Sequence, residues 1–481
     1  MRQRRTIYFN DARHYYLFVF EPPIEMEDAW VPIDEVAGTG VDTFSYGVAR
    51  GDGLFYPSKI GLLFGSDIQP FEQAAYWRIW SNMQSLMERG LDPLTVLIDR
   101  AHEKRMDFIA SLRMGNYGGM DPDHKLDSGG RGWAHEEVRD HQFAVLQELS
   151  NEYETDGVEM DFSSSPGGSS FWLKPEDVEA YTPVMTDFVR QSAEMVRSRA
   201  EKPGILGARV YPTEEMNLKT GLDVRTWLEE GLVDYVVPLV YAYFVLDANM
   251  PFGWLVEAAH ENEISVYGML QPYRLNASDN ATAQMMRAAA ANFWALGVDG
   301  LYTWFMSWPL GETDRGVLAD LGDPELVKQK DKHYFLRNSS DQKSEHDYPA
   351  FLPLEIPSSD TGRVRQIPFS IADDCESDRV RSIKLRINIT DLVTADRLEI
   401  LLNGRSLASE PCRRTFNSRR TPYSGQWLEF DLQEVRPVKG QNTLQITLQE
   451  RPKLLVSPLR VEEVEIIVGY GVFPSALNYD E

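Results

Sequence analysis

Cysteine is almost missing: Cys375 and Cys412 are the only two in 481 residues. That is too few for a disulfide framework or a cysteine-ligated zinc, and both read as core thiols. Long apolar runs are missing too. No stretch approaches ~18 apolar residues, so no membrane-spanning helix is expected. The opening Met1–His14 is basic and then polar, without the apolar core of a secretion signal. The chain therefore reads as cytoplasmic as it stands, or as the trimmed form of a secreted parent. Positive charge is scarce as well: 48 Lys+Arg face 74 Asp+Glu, a net −26. Such a field repels nucleic-acid phosphates and anionic lipid, so neither partner is expected and a neutral substrate suits it better than an anionic one. Arg413, Arg414, Arg419 and Arg420 still form a local basic cluster. The eight histidines never fall at His-x-His spacing, which argues against a metal-dependent hydrolase built on that pair. No Walker loop, Gly-x-Ser-x-Gly elbow or dinucleotide fingerprint is present, so no cofactor is expected.

What is present is alternation. Over roughly residues 14–310, short apolar runs alternate with helical patterns, which predicts a parallel sheet with crossover helices. The strand candidates are Tyr15–Glu21, Val41–Tyr46, Asp107–Arg113, Gly157–Phe162, Leu206–Tyr211, Tyr235–Val240, Ser265–Leu270 and Gly300–Phe305. Glycines at 40, 157, 231 and 297 introduce four of them, where a left-handed helix cap is expected. The intervening helices show apolar residues three and four apart, as in Tyr181, Val184, Met185 and Phe188. The expected fold class is thus α/β, a (β/α)8 TIM barrel over residues 1–325. The segments 47–90 and 114–136 are too long for simple connections and leave strand C-termini, where barrels build active sites. Gly115–Trp133 is therefore a candidate cleft wall.

A charged stretch without periodicity (Lys328–Asp347) marks a linker, placed at 326–350. Beyond it, strict alternations such as Ile383, Leu385, Ile387 and Ile389, or Leu398, Ile400 and Leu402 before Asn403-Gly404, predict a C-terminal all-β sandwich, jelly-roll-like, over 351–481.

The chemistry is carried by Asp156-Gly157-Val158-Glu159-Met160-Asp161-Phe162. Alternate residues of a strand share a face. Val158, Met160 and Phe162 therefore meet the helices, while Glu159 and Asp161 point into the barrel with Asp161 at the rim. A buried carboxylate needs a partner, and Arg209 or Arg113 is placed to supply it. Two close carboxylates push at least one pKa upward, as an acid requires. Asp156 is read as fixing the turn into its strand.

This phrase resembles the end of the fourth strand in glycoside-hydrolase-like barrels, over residues 10–320. Gly221-Leu222-Asp223-Val224, Trp227 and Gly231-Leu232-Val233-Asp234-Tyr235 are similar to a segment of bacterial glycosidases labelled family-ten-like. The resemblance implies that Asp161 is a catalytic carboxylate. Barrels with paired glutamates place the second at the end of the seventh strand, but here Met269-Leu270-Gln271-Pro272 offers none, and Ser163 stands where a chitinase-like barrel carries its glutamate. The amylase-like arrangement takes its acid from the fifth strand, which continues into Glu214 and Glu215.

The expected function is hydrolysis of O-glycosidic bonds in a poly- or oligosaccharide. Asp161 is the nucleophile or stabiliser, Glu215 (or Glu214) the acid/base, and Glu159 and Arg209 set the charge of Asp161. Tyr211, Tyr241 and Trp304 at strand ends are candidate sugar platforms. Glu21 and Asp247 are reserve carboxylates. The rival is a carbohydrate-binding protein on a degenerate glycosidase barrel.

Overall fold

Eight short segments pair in parallel register and close on themselves. The computed structural model describes residues 5–11, 16–115, 121–127, 129–163, 173–199, 203–240, 245–274, 279–304, 306, 309–339, 348–416 and 425–471. The barrel strands are β1 (Arg5–Asp11), β2 (Thr43–Gly47), β3 (Asp107–Arg113), β4 (Gly157–Asp161), β5 (Ile205–Val210), β6 (Tyr235–Pro238), β7 (Ser265–Leu270) and β8 (Gly300–Thr303). Each pairs with its sequence neighbour, and β1 closes the ring against β8. Outward side chains such as Val158, Met160 and Ala208 are buried under helices, among them Val178–Arg197 with Met185, Phe188 and Val189 on its inner face. This is a TIM barrel.

The first strand is not Tyr15–Glu21. Tyr16–Val19 is a helix, and Arg5–Asp11 takes the position between β2 and β8. An apolar run this short cannot be told from a buried helical turn by periodicity. All seven residues of β1 are buried, as expected for a parallel strand covered on both faces. The glycine caps divide into two kinds. Gly231 and Gly297 are left-handed, at φ +62° and +100°. Gly40 and Gly157 serve close approach instead: a Cβ there would lie 2.6 Å from the Leu318 carbonyl oxygen and 2.3 Å from that of Ile205.

The C-terminal part is a β-sandwich of two antiparallel sheets. Its strands are β9 (Lys332–Phe335), β10 (Leu354–Ile356), β11 (Val364–Ile371), β12 (Ser382–Thr390), β13 (Arg397–Leu402), β14 (Arg405–Ser406), β15 (Cys412–Phe416), β16 (Gln426–Asp431), β17 (Gly440–Glu450) and β18 (Leu459–Gly469). One sheet runs β9-β18-β12-β16-β15 with β10 also on β18, and the other runs β11-β17-β13-β14. Ile383, Leu385 and Ile387 of the first sheet and Leu444, Ile446 and Leu448 of the second are buried. Asn403 and Gly404, both at positive φ, turn β13 into β14. The segment that reads as a linker thus holds a strand, β9. Cys375 is buried, but Cys412 is exposed, because it lies on the edge strand β15 and not in the core.

The sandwich docks on the loops that follow β6 and β7 and on the helix Ala283–Leu296. Asn249 Oδ1 accepts from the Ser370 amide at 2.7 Å, and Asn292 Nδ2 donates to the Ser370 carbonyl at 2.9 Å. Arg274 is buried against Glu463 and Glu465 of β18. A cavity of about 720 Å³ lies along this junction, bordered by Asn249, Asn292, Phe351 and Phe369. Among the described residues, no helix is long and apolar enough to cross a membrane.

Candidate active site

Pairing of β3, β4 and β5 sets Ser111 beside Glu159, Arg113 beside Asp161, and Asp161 beside Arg209. The pleat sends all of these side chains into the barrel. Glu159, Asp161 and Arg209 have no exposed surface. Glu159 is held from four directions. Arg209 Nε donates to its Oε1 at 2.7 Å and Ser111 Oγ to the same oxygen at 2.7 Å, while Tyr235 donates to Oε2 at 2.9 Å and Tyr302 lies 3.0 Å from Oε1. Tyr235 reaches Glu159 across Gly207, where a Cβ would sit 2.0 Å from the tyrosine ring. Burial, reinforced by Glu159, holds both tyrosine hydroxyls well above the usual phenol range.

Asp161 lies one pleat nearer the C-terminal face. Arg209 Nη1 stands 3.3 Å from its Oδ2, and Ser163 donates to Oδ1 at 3.2 Å. Burial pushes its pKa up, opposed by Arg209 and Arg113, and Glu159 adds to the rise. The Arg209 guanidinium also lies 3.8 Å from the centroid of Phe9 and 5.4 Å from that of Trp304. Phe9 and Trp304 pack with centroids 4.8 Å apart. Arg209 thus sits in an apolar collar, where a guanidinium favours ring faces over water and its attraction to the two carboxylates is little screened.

Strand periodicity counted from Tyr15 does not reach Asp11. This aspartate ends β1, is 1% exposed and is ion-paired with Arg113, the arginine that also acts on Asp161. Placing the first strand at Tyr15–Glu21 hid it. The alternation Ile7, Phe9, Asp11 was the signal that could have found it.

The other expected residues divide. Tyr211 is buried just past β5, close enough to Asp161 that the carboxylate adds to the upward shift that burial gives its hydroxyl. Asn217 ties down this strand end, its amide bonding both the N–H and the C=O of Tyr211. Trp304 forms buried wall beside Arg209. Tyr241 lies outside the described residues. Glu215 stays apart from the cluster: its side chain is 75% exposed on the short helix Glu214–Lys219 and pairs with Lys219 at 2.6 Å, which lowers its pKa. Glu214 is taken by Arg225 and likewise lowered. Glu21 is 69% exposed and bonded to Arg78. Asp247 is buried but accepts from Tyr348 at 2.6 Å with Arg337 nearby, which commits it to the junction. Asp156, read as fixing the turn into its own strand, instead ties the start of β4 to β3: its carboxylate accepts from the Phe108 amide at 2.9 Å.

No family model and no curated protein matches the chain. Its fold aligns with solved structures of sugar-cleaving enzymes. An alpha-L-fucosidase from a Vibrio species is 11% identical, with 97% of this chain and 96% of that one covered, at a TM-score of 0.41. A β-L-arabinopyranosidase from Geobacillus stearothermophilus is 10% identical, with 94% and 97% covered, at 0.41. Alpha-L-fucosidase isoenzyme 2 from Paenibacillus thiaminolyticus is 13% identical at 0.43, where 68% of this chain spans 50% of that one. These are likenesses of architecture; the barrel itself rests on its own strand register.

Proposed function

We propose that this chain is an O-glycoside hydrolase acting on a neutral poly- or oligosaccharide at the C-terminal face of its barrel. The observation that carries the reading is a pair of buried carboxylates, Asp11 and Asp161, at the C-terminal ends of β1 and β4 and both acted on by Arg113. The C-terminal end of barrel strands is where this fold places chemistry. In this reading Asp161, whose pKa burial pushes up against the pull of Arg209 and Arg113, is the group that passes a proton to the glycosidic oxygen as the bond to the anomeric carbon breaks. Asp11, in place of the exposed Glu215, is the second carboxylate. A carboxyl separation of about 5 Å suits direct attack on the anomeric carbon, and roughly 6.5–9.5 Å suits activation of a water. Glu159 and Arg209 are positioning residues: they hold Asp161 and surround it with compensated charge. Phe9 and Trp304 form the apolar collar around Arg209, and buried Tyr211 lies near Asp161.

The complete burial of Asp161 favours a second reading, in which the barrel binds a carbohydrate without cleaving it. One assay separates the two. Wild-type protein is offered a panel of neutral polysaccharides and aryl glycosides, with reducing ends and glycan binding followed in parallel. Release of reducing ends supports the hydrolase, and binding without release supports the second reading.

A further inference from the structure

We propose that His124, His135 and Glu137 form a site for a divalent transition-metal ion of the zinc class on the loop that follows β3. One ligand atom from each residue lies within 4.8 Å of the others. Two imidazoles and a carboxylate are the donor set zinc takes in open sites, which leave a fourth position for water.

The chain is folded to bring these donors together. Asp121 caps the turn Pro122–His124, its side chain accepting from the Asp123 amide at 3.0 Å. Lys125 pairs antiparallel with Arg131, and the Gly132 amide donates to the His124 carbonyl at 2.8 Å, so the loop doubles back on itself. Gly132 is the residue that permits the approach: a Cβ there would lie 2.7 Å from the His124 oxygen and 3.0 Å from Cδ2 of His135. The two imidazole rings end with centroids 4.9 Å apart. His135 is the N-cap of the helix Glu136–Asn151, which sets Glu137 in the first turn beside it.

Tetrahedral zinc with ligand bonds of about 2.0–2.1 Å needs donors roughly 3.3 Å apart. From a spread of up to 4.8 Å the site must therefore contract by up to about 1.5 Å. His135 and Glu137 are exposed and His124 half-buried, so their side chains have room to rotate toward a shared ion. A bound ion would tie the turn at 122–124 to the start of the helix at 136 and brace the loop on the C-terminal face of the barrel.

The test uses the full chain, stripped with a chelator. Co²⁺ is titrated and its visible d–d absorption followed, and Zn²⁺ binding is measured by calorimetry. The expected result is one ion per chain with a Kd of about 10 µM or tighter. His124→Ala and His135→Ala should each weaken it about 30-fold or more, since loss of even an outer-shell partner commonly costs about 10- to 100-fold. His260→Ala, which removes a histidine bonded instead to Asp299, should leave it unchanged. Circular dichroism confirms that the variants are folded. Absence of binding up to about 100 µM, or binding that neither loop histidine variant weakens, overturns the proposal.

Discussion

Arg209 and Glu159 face each other inside the barrel with no exposed surface on either and 2.7 Å between Nε and Oε1. Two opposite charges removed from water survive only if their remaining donors and acceptors are also met. Here Ser111, Tyr235 and Tyr302 complete the shell of Glu159, while Asp161, Ser111 and Tyr302 complete that of Arg209.

Breaking this pair from one side should therefore be costly. Arg209→Met strands Glu159 in a dry interior, and a loss of about 3–5 kcal/mol in urea unfolding is expected. Adding Glu159→Gln to that variant should restore about 1–3 kcal/mol relative to the sum of the single changes. Strict additivity in the double-mutant cycle would show that the two residues are not coupled.

Much of this arrangement is legible in the sequence. The strands Asp107–Arg113 and Ser265–Leu270 are written plainly, because each is a short apolar run between turn signals and is buried on both faces. The inward direction of Glu159 and Asp161, and the partnership with Arg209, follow from strand alternation and the cost of a lone buried charge. Two things were not legible. The run Tyr16–Val19 is apolar enough for a strand yet forms a helix, which displaced β1 and concealed Asp11. Glu215 follows a strand as a catalytic acid would, but only the structure shows the helix turning it toward Lys219.

The junction between barrel and sandwich should be acid-sensitive. Glu465 is held down to about 2, because His333, Arg274 and Arg386 outweigh the effect of its burial. A depressed carboxylate gives stability that is complete above its ordinary value of 4.5 and is lost as pH falls toward 2. Calorimetry should show one cooperative transition at pH 6 for the wild type, at roughly neutral conditions where this stability is in force. Arg274→Ala should weaken the junction and separate two transitions. A single unchanged transition in Arg274→Ala would mean that these charges do not join the two parts.

Glu35 should work in the other direction. Burial raises it to about 7, against weaker opposition from the Leu310 amide and Arg315. The folded state then binds more protons than the unfolded one, so its contribution is complete below 4.5 and is lost as pH rises through 7. Glu35→Gln should match wild type near pH 4 and be more stable by roughly 1 kcal/mol or more at pH 8, read from the denaturation midpoint. Equal pH profiles for the two proteins would contradict this.

If Asp161 performs chemistry and is more than a buried counter-ion, its carboxyl must matter to turnover. Wild type and Asp161→Asn are compared on whichever glycoside the wild type cleaves. In the variant kcat/KM should fall roughly a thousand-fold or more while the folded spectrum and glycan binding persist. A variant that cleaves as fast as wild type would contradict a chemical role for Asp161.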